Sequence, residues 1–426
     1  MRKRLNNNNV GTFDTSCFVG NNTNGFFNKA KHVFTSLLFA SFYLFNLTSF
    51  SSVSVVVILL LILLSSLLER DFFVSFKTTH TLIIPLLFSV FCLASSYWAI
   101  KSPSASIEKG VTILENIFCV YILSICYIYE KRITSLLKSV MWAGVVVAIY
   151  IIIGDANGII NSLWSGSRYA TDFANANAVG MLMAESITIF VFFSLIFKFK
   201  LCYVMSILPL TVLIATQSKT ALLETILGVF LVWLYWIFSN KYSHTKSKKI
   251  TISILVVLIC SLFLIRSNFL DGFFNRFDTM MIAFQDISSS DGSSRVRFEM
   301  INYGWSLFKS HPLLGVGISN AGIGYEGFSH DTYLHNNYIE MLANGGIVGF
   351  SLYYLSHTYS LYTLFKTKEF KKPMGYITFC LLAMILLADF GTVSYYSKGT
   401  FFVFTIIFLQ IYFNNDFRKW KKVGLN

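Results

Sequence analysis

Apolar stretches of about 20 residues return again and again along this chain, and that one feature removes most folds from consideration. A helix needs about 20 predominantly apolar residues to cross a ~30 Å hydrocarbon core. Of 426 residues, 55% are hydrophobic and 13% charged, with mean hydropathy +0.62, whereas soluble domains carry about 25% charged residues. The expected fold is an all-α polytopic membrane protein with about twelve transmembrane helices and a large, partly helical outer loop. The spans are read at about 33–50, 53–68, 81–97, 111–130, 136–153, 179–197, 201–217, 220–239, 250–265, 338–364, 374–390 and 399–415. They divide the chain into a cytoplasmic disordered tail (1–32), nine helices (33–265), a large extracytoplasmic loop (266–337), three more helices (338–415) and a cytoplasmic tail (416–426).

Lys and Arg mark the cytoplasmic ends of membrane helices. With both termini inside, 24 of the 34 basic residues fall in cytoplasmic segments and ten outside. The formal charge of +13 is therefore a topology signal, and nucleic acid drops out as a partner. The first ~32 residues begin MRKR, contain NNNN and have no long apolar core of the signal-peptide kind. The seven cysteines are odd in number, lack a C-x-x-C spacing and fall mostly inside apolar runs. They read as buried thiols, not as a disulfide framework or metal cluster.

The largest polar segment runs from Arg295 to Asn337 and faces outward on this topology. Within it, Val296, Met300, Ile301, Gly304, Leu307 and Phe308 follow a helical period over 294–310, and Pro312 marks the end. Such an amphipathic helix would lie at the interface or lid a cavity, with Arg295 and Arg297 facing the bundle. Lys101 reads as part of a solvated loop, while Arg168 precedes the sixth span and Lys219 begins the eighth. Four carboxylates, Glu115, Glu185, Glu224 and Glu340, sit within about two turns of the outer ends of their helices. Each is expensive there unless paired or in a polar cavity, and four on one side argue for a cavity open to the outside. His335, at the mouth of the tenth span, suits either an interfacial helix-capping position or a general base near neutral pH. His330 and His335, five apart, do not share a helix face, and no further metal-ligand pattern accompanies them. Guanidinium and ammonium groups converging on one histidine at the outer face suit a membrane-tethered diphosphate, since Arg forks grip diphosphate well.

At this point the residues resemble the O-antigen ligase/polymerase family of bacterial membrane glycosyltransferases. The large-loop pattern R-x-x-x-[WI], H-P-[LI]-x-G-x-G and H-N-x-Y-[LI]-x-x-L-x-x-x-G-[IL]-x-G is matched by Arg297 with Ile301, by His311-Pro312-Leu313-Leu314-Gly315-Val316-Gly317, and by His335-Asn336-Asn337-Tyr338-Ile339 through Gly349. The spacing to His311 favours Arg297 over Arg295. A second pattern, R-x-x-G-x-F-x-N-P-N, is similar to Arg168 through Asn177, with Thr171 and Ala176 in place of the usual Gly and Pro. A third, S-R before an inward-running span, is Ser218-Lys219 here, and Lys loses the bidentate fork. Ser96 through Pro103 resembles another family stretch more loosely.

The resemblance implies metal-independent, inverting transfer of an oligosaccharide from an undecaprenyl diphosphate donor, at the outer face of the bacterial cytoplasmic membrane and without a cofactor. Arg297 and His335 would be catalytic; Arg168, Lys219, Arg295, Asn336 and Asn177 would bind substrate. The implied partners are the lipid-linked donor, a glycan acceptor, the bilayer, a chain-length regulator and a flippase. Polymerisation of O-antigen or capsule repeat units is the first expectation, ligation onto lipid A core or protein the second. A transporter or flippase of lipid-linked sugar is a third, although carriers place charges near the midplane in two related halves.

Overall fold

The computed structural model describes residues 26–44, 50–67, 82–127, 133–165, 168–169, 175–239, 292–323, 325 and 332–422. All regular structure among these residues is helical. In chain order the helices are α1 (Phe26–Leu44), α2 (Phe50–Leu67), α3 (Ile83–Ala94), α4 (Pro103–Tyr127), α5 (Thr134–Gly154), α6 (Ala156–Ser165) and α7 (Ala176–Phe197). They continue as α8 (Leu201–Met205), α9 (Ile207–Thr216), α10 (Lys219–Phe238), α11 (Gly292–Ser310), α12 (Asn337–Lys366), α13 (Pro373–Ala388) and α14 (Lys398–Lys422). Four of them, α4, α5, α7 and α10, are long and apolar enough to cross a membrane. The predicted ninth span, 250–265, lies outside the described residues.

Several boundaries differ from the sequence reading, each for a local reason. α1 begins at Phe26, so residues 26–32 of the expected tail are helical. Lys31 is buried in the bundle, its Nζ donating to the Cys126 carbonyl (3.5 Å) over the Tyr127 ring. α4 starts at Pro103, eight residues early, because proline suits a first helical turn and Ser102 Oγ accepts from Ala105 N (3.3 Å). The seventh span divides into α8 and α9 at Ser206, where Pro209 has no N–H to give the Met205 carbonyl. α6 occupies part of the stretch expected to be an outer loop, pinned by Ser162 Oγ donating to the Ala215 carbonyl (2.8 Å).

The core is a layer of Phe, Leu, Ile and Val shared by α1, α5, α7, α13 and α14, with Phe39 and Phe402 ring centroids 4.3 Å apart. α7 and α10 pack through small residues, as membrane helices do when backbones approach closely. A β-carbon on Gly180 would fall 2.8 Å from Ala221, and one on Gly228 would strike Thr188 and Met384. α11 lies against the first turns of α12, burying Met300 beside Val316, Ala321, Leu334 and Ala343. The amphipathic period thus identified the buried face correctly.

The helix that carries most of the motif is not continuous. α12 is interrupted at Gly346, whose φ of 60° and ψ of −164° lie in a region open essentially to glycine alone. The break frees backbone groups that a straight helix would use internally. The His311–Gly317 segment takes them: Val316 N donates to Ala343 O (2.9 Å), Gly317 N to Asn344 O (3.0 Å), Ile347 N to Pro312 O (2.9 Å) and Val348 N to Leu313 O (3.2 Å). Gly315 permits this, since a β-carbon there would lie 2.4 Å from the Asn344 carbonyl carbon. Two separate halves of the sequence pattern are therefore one interlocked structure. The looser Ser96–Pro103 fragment braces its other side, with Trp98 Nε1 donating to Leu314 O (3.1 Å) and Ile100 N to Val316 O (3.1 Å).

Candidate active site

The interlock holds the segment before α12 at one end of the bundle, the end predicted to face outward. Asn336 caps α12 by accepting from Ile339 N (3.1 Å) and donates to the Phe390 carbonyl (3.3 Å). Asn337 is buried, its backbone N donating to Asp389 O (2.8 Å) and its Oδ1 accepting from Ser394 N (3.1 Å) and Tyr395 N (3.3 Å). Asp389 in turn accepts from Tyr354 Oη (2.9 Å) and from the Ser394 hydroxyl. The loop between α13 and α14 is thereby fastened to the start of α12.

His335 precedes this anchor in a left-handed conformation, φ 56°, uncommon for a residue with a β-carbon. Its ring lies against Tyr333, centroids 4.3 Å apart, and its Nδ1 is buried without a hydrogen-bond partner among the described residues. Burial, then the Arg297 guanidinium, then that of Arg168 push the His335 imidazole down to about 4. All three favour the uncharged ring, which at neutral pH is a free base.

Arg297 comes from the first turns of α11 and Arg168 from the segment before α7. The two cations, about 130 residues apart in sequence, meet around one histidine. Arg168 is steered by Asn177, whose Oδ1 accepts from Nη2 (2.8 Å), and its neighbour Tyr169 donates its backbone N to Ala215 O (3.0 Å). Asn175 caps α7 by accepting from Asn177 N (2.9 Å) and also hydrogen-bonds the Tyr333 side chain. The Tyr333 hydroxyl is pushed up by burial and held back by nearby Arg297.

Lys219 is the first residue of α10, behind Ser218, whose hydroxyl accepts from Ala221 N (3.3 Å). That turn lies against the first turns of α7, and a β-carbon on Gly391 would strike Thr220. The Lys219 turn therefore reaches the same end of the bundle as Asn336 and the Phe390 loop. Arg295 lies in the first turn of α11, with its side chain outside the described residues.

The seven sequence candidates do not all have the expected surroundings. Asn177 and Asn336 are engaged in holding Arg168 and in capping α12, so both orient the site from within the protein. Lys101 is not a bystander of a solvated loop: it donates to Tyr303 Oη (3.2 Å) and to the Ile323 carbonyl. The four embedded glutamates do not share one environment. Glu115 is exposed on α4, Glu340 is enclosed by hydrogen bonds, and Glu185 on α7 and Glu224 on α10 lie within electrostatic reach of each other, with Glu185 Oε2 and both Glu224 oxygens meeting no donor among the described residues. Residues that the sequence reading passed over include Tyr333, Asn320 and Asn344. The last two form the hub of the interlock, Asn344 Oδ1 accepting from Asn320 N (3.0 Å) and Ala321 N (2.7 Å). For Asn344 the Asn-Gly-Gly run inside an apolar helix was the available signal. Among the described residues, no group of three or more His, Cys, Asp or Glu is placed to hold a metal ion; His330 lies outside them.

Residues 204–354 match the family model described as O-antigen ligase. The matched segment is roughly a third of the chain and contains Lys219, Arg297, the interlocked loop, the α12 break and His335. No curated protein matches the chain. The family match supports the O-antigen ligase/polymerase family over the segment that carries Lys219, Arg297 and His335.

Proposed function

We propose that this protein polymerises lipid-linked polysaccharide repeat units, of O-antigen or capsule type, at the outer face of the bacterial cytoplasmic membrane. The observation that carries the reading is His335, an uncharged imidazole with two guanidiniums beside it. The acceptor sugar hydroxyl attacks the anomeric carbon of the donor, and His335 takes its proton. The bond from that carbon to the diphosphate oxygen breaks with its electron pair, inverting the centre. Arg297, Arg168 and Lys219 neutralise the departing diphosphate, a stabilisation of the kind that supplies several kcal/mol in other enzymes. The same charges make the base respond to its substrate. A bound diphosphate offsets the guanidiniums, so the imidazole becomes more basic when the donor is in place.

In this reading the chain has twelve spans, both termini are cytoplasmic, and Arg295 joins Arg297 in contacting the donor. The partners are an undecaprenyl diphosphate-linked oligosaccharide, a glycan acceptor, a flippase that delivers the donor and a chain-length regulator. A ligase acting on lipid A core or protein uses the same groups on a different acceptor, so the test reads the product. In a deletion strain, loss of long chains with single repeat units retained supports the polymerase, and loss of all transferred glycan supports the ligase. Complementation with His335→Ala or Arg297→Ala should restore neither, at normal membrane abundance; full activity in either variant removes the site assignment.

A further inference from the structure

His335 holds its place by something other than its own preference. A left-handed backbone at a non-glycine residue is strained and persists only where surrounding contacts over-determine it. On its C-terminal side that contact is the Asn336 cap. On its N-terminal side the backbone N of Leu334 donates to Glu340 Oε2 (2.8 Å). Glu340 lies in the first turn of α12 and is buried. Its other oxygen, Oε1, accepts from Asn344 Nδ2 (2.8 Å). The orientation of the Asn344 amide is set in turn, because its Oδ1 is occupied by the Asn320 and Ala321 backbone donors.

Resting on the reading of His335 as the base, we propose that Glu340 is a positioning residue for it, acting with Asn344 as a polarity-matched pair. Position 340 faces two donors, the Leu334 N–H and the Asn344 amide NH₂, and only a carboxylate accepts with both oxygens. The pair relays the rigidity of the interlocked 312–321 loop to the backbone one residue before the base. A buried carboxylate is costly in an apolar bundle, and alanine or leucine would serve mere packing.

The proposal makes a reciprocal demand that a packing role does not. In Glu340→Gln one of the two positions turns from acceptor to donor and meets another donor. In Asn344→Asp two carboxylate oxygens meet. The double exchange Glu340→Gln/Asn344→Asp restores every polarity. The carboxylate introduced at position 344 accepts from the Asn320 and Ala321 N–H groups and from the amide introduced at position 340. The carbonyl oxygen of that amide accepts from Leu334 N.

The experiment measures turnover of the purified full-length protein on a polyprenyl diphosphate-linked repeat unit, together with membrane abundance and the rate of His335 carbethoxylation by diethyl pyrocarbonate, read by peptide mass spectrometry. Each single variant should lose about 10²-fold in kcat, the scale of a 1 Å misplacement, with KM changed little and the carbethoxylation rate altered. The double variant should regain both to within about threefold of the wild type, well inside that loss. Glu340→Gln at wild-type turnover overturns the proposal. So does a double variant that regains abundance but not turnover, since the pair is then only structural. The carbethoxylation pattern does not depend on activity. If His335→Ala proves active, the base reading fails while the reciprocal pattern in His335 reactivity still judges the pair.

Discussion

The imidazole of His335 should remain uncharged in the unliganded protein far below the pH at which histidines ordinarily titrate. Its value is pushed from 6.5 to about 4 by burial first and by Arg297 and Arg168 after it. The sign is that of a depressed base: the active, neutral form persists above about pH 4 and is lost only as pH falls through that value. At pH 5 about 90% of His335 is then neutral, where an ordinary histidine would be about 3% neutral, a difference of roughly thirtyfold. Carbethoxylation requires the neutral ring, so the pH dependence of labelling of the His335 peptide reads this directly. Arg297→Gln removes the second cause, and because burial is the larger, the midpoint should rise only part of the way back toward 6.5. In an active preparation kcat/KM, which reports the free enzyme, should show no His335 limb between pH 5 and 7. A wild-type midpoint between pH 6 and 7, or one that Arg297→Gln leaves unmoved, refutes the argument that these groups act on one another.

Three further outcomes follow from the same geometry. Gly346→Ala should lower thermal stability by about 3 kcal/mol or more, read as a fall in melting temperature and membrane abundance, because its β-carbon would lie 2.3 Å from the Leu313 carbonyl oxygen at a glycine-only φ and ψ. Lys219→Arg should retain or raise turnover and Lys219→Glu abolish it, a comparison made on glycan ladders in a complemented deletion strain. Chelation by EDTA should leave turnover unchanged, and a loss that added divalent metal restores would bring His330 and His335 back as ligands.

Much of the site was legible before the fold. Arg297 and Arg168 stand out because basic residues outside the membrane run against the positive-inside bias, and His335 because it sits at the mouth of the tenth span; the structure brings the three together. Glu340 was visible as an embedded acid, but its role was not, since its partner Leu334 N–H is a backbone group without sequence identity. Asn177 and Asn336, expected to bind substrate, have their amides engaged with Arg168 and with the α12 cap. Asparagine caps helices as readily as it binds sugars, and its type alone does not say which contacts its amide makes.

The sequence by itself determined the class of fold, because crossing lipid demands long apolar helices and local composition records that demand residue by residue. It also determined where α11 lies and which of its faces is buried, since a helical period is local too. Tertiary structure alone decided that α12 is broken, that the His311–Gly317 loop fills the break, and that Arg168 and Arg297 share one histidine. Those outcomes rest on hydrogen bonds and charges between segments separated by tens to hundreds of residues. No periodicity or propensity within either segment encodes its partner, so the contacts exist only once the chain has closed around them.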